Sequence, residues 1–209
     1  MARAIGIDQL LKMNFKEMKF EGKWKESFGA NPGSSGTWII WAHSGNGKTN
    51  FALQLAKYLT QFESVLYDSL EEGAKSSFRL AVLRNKMQDP AVKRKFKILH
   101  REPLDELKTR LRKRRSPRIV FIDSIQYTGI TKKEYAELKE EFENHLFIFV
   151  SHANGKHPKG NVADHVQYDA DVKIYVEGFV AFPKTRYEGG KPYIIWNEGA
   201  KEYHGNLEL

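Results

Sequence analysis

The sequence predicts an α/β fold: a mostly parallel central sheet flanked by helices, with antiparallel strands at its C-terminal edge. Three observations carry this. Short apolar runs alternate with helix-like stretches, the order that a parallel sheet with helical crossovers requires. Two runs, Ile119-Val120-Phe121-Ile122 and Leu146-Phe147-Ile148-Phe149-Val150, are apolar at every position, as strands buried on both faces are. From Val172 onward only strand-like runs follow, so the closing strands are expected to extend one edge antiparallel.

The elements follow in order. Residues 1–36 read as a basic, aromatic lead-in that ends in the loop signal Gly29-Ala30-Asn31-Pro32-Gly33-Ser34-Ser35-Gly36. Its Phe15, Phe20, Trp24 and Phe28 suit either packing on the same domain or anchoring on a neighbour. Residues 37–209 form the main domain. Thr37 to Trp41 is a β-rich strand, and Phe51, Leu53, Leu55, Ala56 and Leu59 then recur at near-helical spacing. A strand at 64–67 precedes a helix at 72–87, and a weaker strand at 97–99 precedes a charged helix at 104–114. The strand at 119–122, a helix at 132–143 and the strand at 146–150 continue the alternation. Strands at 172–176, 180–182 and 193–196 close the chain, with Glu188-Gly189-Gly190 turning between the last two. The stretch from Ala153 towards Asp169 reads as a long loop.

Bulk properties bound the function. The 209 residues suffice for one domain with a sizeable core and leave little room for a second. Hydrophobic residues at 41% and charged residues at 29% are ordinary for a globular protein, and no apolar run spans a bilayer. With no cysteine there is no disulfide framework or cysteine zinc site. Met1 to Lys16 lacks a signal-peptide pattern. These features favour a cytoplasmic protein with no membrane partner. The net charge of +8 favours polyanionic partners, unless the lysines are simply spread evenly.

The chemistry starts at Ala42-His43-Ser44-Gly45-Asn46-Gly47-Lys48-Thr49, with Asn50 next. Strand before, glycine-containing turn within and helix after make this a phosphate-binding loop, so ATP and Mg2+ are the expected cofactors. Glycine permits the turns that aim backbone N–H groups at phosphate oxygens, and the helix N-terminus adds partial positive charge. Lys48 is expected at the β- and γ-phosphates, and the Thr49 hydroxyl on magnesium. Ala42 stands where the motif has glycine, a small residue that still allows the turn. Asp123, at the end of an apolar strand, is the expected second magnesium anchor. Ser124 follows it, so a glutamate directly after the aspartate is excluded as the water-activating base. Glu71, at the tip of another strand, takes that role, with Glu72 second; both also suit the cap of the following helix.

The phosphate loop, Ser69-Leu70-Glu71-Glu72, Ile122-Asp123-Ser124-Ile125 and Val150-Ser151-His152 together resemble the RecA-like ATPases. That group includes the recombinases, the DnaB-type helicases and the RadA- and KaiC-like proteins. The resemblance covers about residues 36–197 and implies a RecA-like P-loop core. It also implies that Glu71 is catalytic and that Ser151-His152 holds the place of a polar sensor, often glutamine. His152 departs from that pattern; it suits either a hydrogen bond to phosphate or DNA, or a strand end. Lys184-Thr185-Arg186 is similar to the basic pair that enters a neighbour's nucleotide site in DnaB-like members, though an exposed basic hairpin is the alternative. The pair implies a homo-oligomer, a hexameric ring or a filament.

The resemblance further implies DNA contact by two loops. One holds Tyr127, Lys132 and Lys133; the other holds Lys156, His157 and Lys159. Glycines give such loops mobility, lysines reach phosphates and a tyrosine can stack on a base. The run Lys108, Arg110, Arg112, Lys113, Arg114, Arg115 and Arg118 is either a secondary polyanion surface or a solvated face. The function expected is a Mg-dependent ATPase acting on single- or double-stranded DNA, with a replication or recombination protein as partner. The alternative is a KaiC-like regulatory ATPase that controls a protein partner without DNA. A kinase or a purely structural nucleotide site are further options.

Overall fold

A computed structural model describes residues 4–205; the predicted segments' outermost residues, 1–3 and 206–209, lie outside the described range. The lead-in holds α1 (Ile7–Leu11) and α2 (Gly22–Phe28). The first crossover runs from β1 (Gly36–Ala42) through α3 (Lys48–Leu59) to β2 (Val65–Ser69). Next come α4 (Ser76–Arg84), α5 (Pro90–Lys95), β3 (Phe96–Leu99), α6 (Leu104–Leu111) and β4 (Ile119–Asp123). After a 3-10 turn at Ile125–Tyr127 the chain forms α7 (Lys132–Glu141) and β5 (Leu146–Asn154). The remainder is β6 (His157–Pro158), α8 (Asn161–Asp169), β7 (Val172–Glu177), β8 (Val180–Thr185), β9 (Tyr193–Ile194) and α9 (Asn197–His204).

The strand order is β3-β2-β4-β5-β1-β7-β8-β9, with β6 paired to β5. The first six strands of that order are mutually parallel, while β8 and β9 are antiparallel. The expected architecture, including the antiparallel edge, is the one observed. Alternate residues of the central strands feed two cores, one on each face. Trp38, Ile40, Ala42, Phe121, Ile148 and Val150 join the core under α3. Ile39, Trp41, Val120, Ile122, Phe147 and Phe149 join Leu107, Leu138 and Val166 on the other side. This two-sided burial is why those strands read as uninterrupted apolar runs. At β7 only Val172, Ile174 and Val176 are buried, and the pattern alternates.

Several boundaries differ from the sequence expectation. The helix expected at 72–87 spans only Ser76–Arg84, because Gly73 (φ 66°) turns residues 70–75 into a loop against His100, whose Nδ1 accepts from Ala74 N at 2.8 Å. The helix at 104–114 ends at Leu111, the one at 132–143 ends at Glu141, and the last strand stops at Ile194. The stretch read as a long loop from Ala153 contains β6 and α8. In the lead-in, Phe20 and Phe28 are buried and Trp24 stacks on Tyr193 (4.3 Å) and Tyr58 (5.0 Å), whereas Phe15 and all of α1 are exposed. The basic run is partly neutralised: Arg110 forks onto Glu102 (2.7 and 2.6 Å) and Arg112 onto Glu141 (2.5 and 3.0 Å). Among the described residues no helix is long and apolar enough to cross a membrane.

Asp68 in β2 is 1% exposed; its Oδ1 accepts from Glu102 N at 3.1 Å, and its Oδ2 has no partner. Burial, above all, pushes its carboxyl up to about 6. A carboxyl whose folded value is raised keeps a proton that the unfolded chain has lost, so stability is full below the unfolded value and falls as pH rises through about 6. Asp68→Asn is expected to flatten this fall, measured as thermal midpoints from pH 4 to 8. The penalty at stake is no more than about 3 kcal/mol.

Candidate functional site

Parallel register brings the predicted residues to one edge. Ser69 pairs with Asp123, Asp123 with Val150, and Ala42 with His152, so the C-terminal ends of β2, β4, β5 and β1 lie side by side. Such ends are where open α/β sheets bind ligands. The cavity there holds about 340 Å³ and is walled by His43, Ser44, Gly45, Gly47, Lys48, Thr49 and Asn50 from the loop. Glu71, Glu72, Arg84, Asp123, His152 and Phe179 complete it.

The loop is built to leave donors free. None of the backbone N–H groups from Ser44 to Asn50 meets a protein acceptor among the described residues. Gly47 caps α3 in a left-handed conformation (φ 91°), with no side chain closing the helix N-terminus. Asn46 pins the loop to the β7–β8 turn: its Oδ1 accepts from Gly178 N at 2.7 Å and its backbone O from Phe179 N at 3.2 Å. Lys48 Nζ donates to the Ser151 carbonyl at 3.2 Å, which ties the ammonium to the end of β5. Ala42 ends β1 fully buried.

The carboxylates are held as firmly. Asp123 is 7% exposed, and its Oδ2 accepts from the buried Tyr67 hydroxyl at 2.5 Å. Burial pushes the Asp123 carboxyl up to about 6, opposed by the Tyr67 hydrogen bond and by Lys48. A carboxylate kept at such cost, on the wall of the same cavity as Thr49, suits a hard cation that takes few protein oxygens and completes its shell with water and phosphate, as magnesium does. The Thr49 hydroxyl and Asp123 Oδ1 are the oxygens of this cavity that could hold such a cation. Glu71 hangs from Asp123 by backbone: Leu70 N and Glu71 N both donate to Asp123 O, at 2.6 and 3.0 Å. Its Oε2 lies 3.3 Å from His152 Nε2. Burial, then Lys48, holds the His152 imidazole below its ordinary range, against the opposing pull of Glu71.

Other predicted residues lie elsewhere. Lys184 faces a second cavity of about 670 Å³ with Lys156 and His157, walled by Trp41, Tyr175 and Phe182. Arg186 pairs with Asp171 at 3.2 Å. Neither lines the nucleotide cavity of its own chain. Tyr127 is exposed, 6.3 Å between ring centroids from His152, and Lys132 and Lys133 open α7 on the surface. The hairpin with Lys156, His157 and Lys159 is tied back to the phosphate loop: Trp41 Nε1 donates to Lys156 O (3.0 Å), and His43 Nε2 meets Gly155 O (3.0 Å).

Two residues escaped the sequence reading. Gln126 joins the ends of β4 and β5: its Nε2 donates to Ser151 Oγ and Lys159 O, both at 2.7 Å, and its Oε1 accepts from His152 N at 3.3 Å. The only signal for it was an amide two residues after Ser124. Arg84, on α4, reaches the cavity from a segment with no motif at all.

No protein-family model matches the chain, and no curated protein does. Solved structures do match: 391 chains, so the architecture is widely shared and does not by itself name an activity. One is the crystal structure of a KaiC-like protein from the hyperthermophilic archaeon Pyrococcus horikoshii OT3, 18% identical, with a TM-score of 0.62 over 86% of this chain and 94% of that one. The likeness shows the fold, and it agrees with the RecA-like core expected from the sequence.

A Cβ at Gly47 would lie 2.9 Å from Phe179 Cδ1, and φ is already left-handed, whereas at Gly45 (φ 82°) nothing lies within 4 Å. Gly47→Ala is expected to lower the nucleotide-free thermal midpoint more than Gly45→Ala, by about 1 kcal/mol of extra destabilisation.

Proposed function

We propose that the protein is a Mg-dependent ATPase that couples ATP binding and hydrolysis to action on DNA. One observation carries the catalytic part: Lys48, Thr49, Asp123 and the Glu71–His152 pair share one cavity beside unpaired loop N–H groups. The loop N–H groups bind the phosphate chain and Lys48 exchanges the Ser151 carbonyl for a phosphate oxygen. Thr49 and Asp123 would hold a magnesium ion, which would supply positive charge to offset that of the phosphates. Glu71 takes the proton of a water whose oxygen attacks the γ-phosphorus, as the bond to the β-phosphate oxygen breaks and ADP leaves. His152, whose Nε2 lies 3.3 Å from Glu71 Oε2, orients the Glu71 carboxylate and, from the same position, the γ-phosphate.

The DNA part rests on the hairpin around Lys156. Its ties to Trp41 and His43, and that of Lys159 to Gln126, link it mechanically to the ends of β1, β4 and β5. Lysines beside aromatic rings in the second cavity suit a nucleic acid strand. Lys184 and Arg186, turned away from their own nucleotide, support a homo-oligomer, ring or filament, in which they serve a neighbour's site. Likeness to a KaiC-like protein favours a second reading, in which the same ties signal to a protein partner.

Glu71→Gln is expected to lower ATP turnover by about 10²–10⁴-fold while leaving nucleotide binding in place; unchanged turnover rejects Glu71 as the base. Fluorescence polarisation with single-stranded DNA separates the two readings. Salt-sensitive binding that changes with ATP supports DNA, and none under either condition selects the regulatory reading.

A further inference from the structure

The cations of the nucleotide cavity are not all in the motif. Besides Lys48, a guanidinium stands on its wall: Arg84, at the C-terminal end of α4. We propose that Arg84 is a phosphate-binding residue supplied by the same chain, gripping the α- and β-phosphates common to ATP and ADP. The proposal rests on the nucleotide-binding reading above.

Three observations support it. First, Arg84 is positioned. Its Nη1 donates to Asn50 Oδ1 at 3.4 Å, and Asn85 Nδ2 donates to the same oxygen at 3.0 Å and to Ala81 O at 2.8 Å. Lower on the same helix, Lys57 Nζ donates to Lys86 O at 3.1 Å and Asn85 O at 3.4 Å. The end of α4 is thus fastened to α3 at two levels, and Arg84 moves with the phosphate helix. Asn50, expected to bind nucleotide directly, spends its amide oxygen on this clamp.

Second, Arg84 has no carboxylate partner within ion-pair distance among the described residues, whereas Arg110, Arg112 and Arg186 each have one. Glu71 and Glu72 share its cavity without pairing to it. A guanidinium left unpaired in an anion-binding cavity keeps its planar donors for phosphate oxygens.

Third, its place along the loop selects the phosphates. The lysine of such a loop reaches the β- and γ-phosphates, while loop N–H groups hold α and β. Arg84 is tethered to Asn50, two residues beyond Lys48 and in the first turn of α3. A charge there acts on groups that do not change during hydrolysis. Its contribution is uniform binding, in contrast to that of Glu71.

The test is titration of fluorescent ADP and of a non-hydrolysable ATP analogue, with magnesium, into wild type, Arg84→Ala, Arg84→Lys and Lys48→Ala. Arg84→Ala is expected to lose about tenfold or more in affinity for both nucleotides by similar factors. Arg84→Lys is expected to fall between it and wild type, and the nucleotide-free melting temperature should stay that of wild type. Affinities within twofold of wild type for both nucleotides, or a loss confined to the ATP analogue, overturn the proposal. If wild type binds neither nucleotide, the nucleotide reading itself fails; if Lys48→Ala loses binding and Arg84→Ala does not, only the role of Arg84 fails.

Discussion

The constraint on which the structure turns is a run of backbone N–H groups left without protein partners at the end of the central strand. An unmade hydrogen bond is expensive once water is excluded, at about 1–3 kcal/mol per group. The chain leaves these donors at a cavity that an anion can enter and keeps them from relaxing elsewhere. Asn46 does this work, bonded to Gly178 and Phe179 across the next strand pair. The loop is thereby held from the β7–β8 side, and Lys48 holds it from the β5 side. Preorganisation of this kind removes the ordering cost from the binding step.

The carboxylates obey the same logic with opposite sign. Asp123 is buried and its proton affinity is raised, so an ionised Asp123 is stabilised by an arriving cation more than an exposed carboxylate would be. Tyr67 commits one of its oxygens, and the backbone of residues 70 and 71 is bonded to its carbonyl. Asp123 is thus joined through the backbone to Glu71, whose Oε2 lies 3.3 Å from His152 Nε2. Gln126 extends the chain of contacts to Lys159 and the hairpin beyond. A chain of contacts thus runs from Asp123 through Glu71, His152 and Gln126 to the hairpin at Lys159.

Much of this was legible in the sequence, for definable reasons. Strands buried on both faces announce themselves as apolar runs, and parallel register then sets their ends together; Lys48, Thr49, Glu71, Asp123 and His152 each lie at or just beyond such an end. What stayed hidden lacked that signal. In α8 only Ala163 and Val166 are buried, behind Gly155, Pro158 and Gly160, so the helix reads as loop. In α9 only Gly199 and Ala200 are buried. The shortening of the helix at 72–87 depends on Gly73 meeting His100, a contact between segments 27 positions apart in the chain. Arg84 enters the site through helix packing, which no local pattern records.

On the proposed reading, this edge of the sheet is a single MgATP site. Isothermal titration of ATP into the protein, with magnesium and again with the metal chelated, tests it most directly. One ATP per chain, bound about tenfold or more tightly with magnesium than without, is the predicted result. Absence of binding, or an affinity indifferent to the metal, would contradict the account.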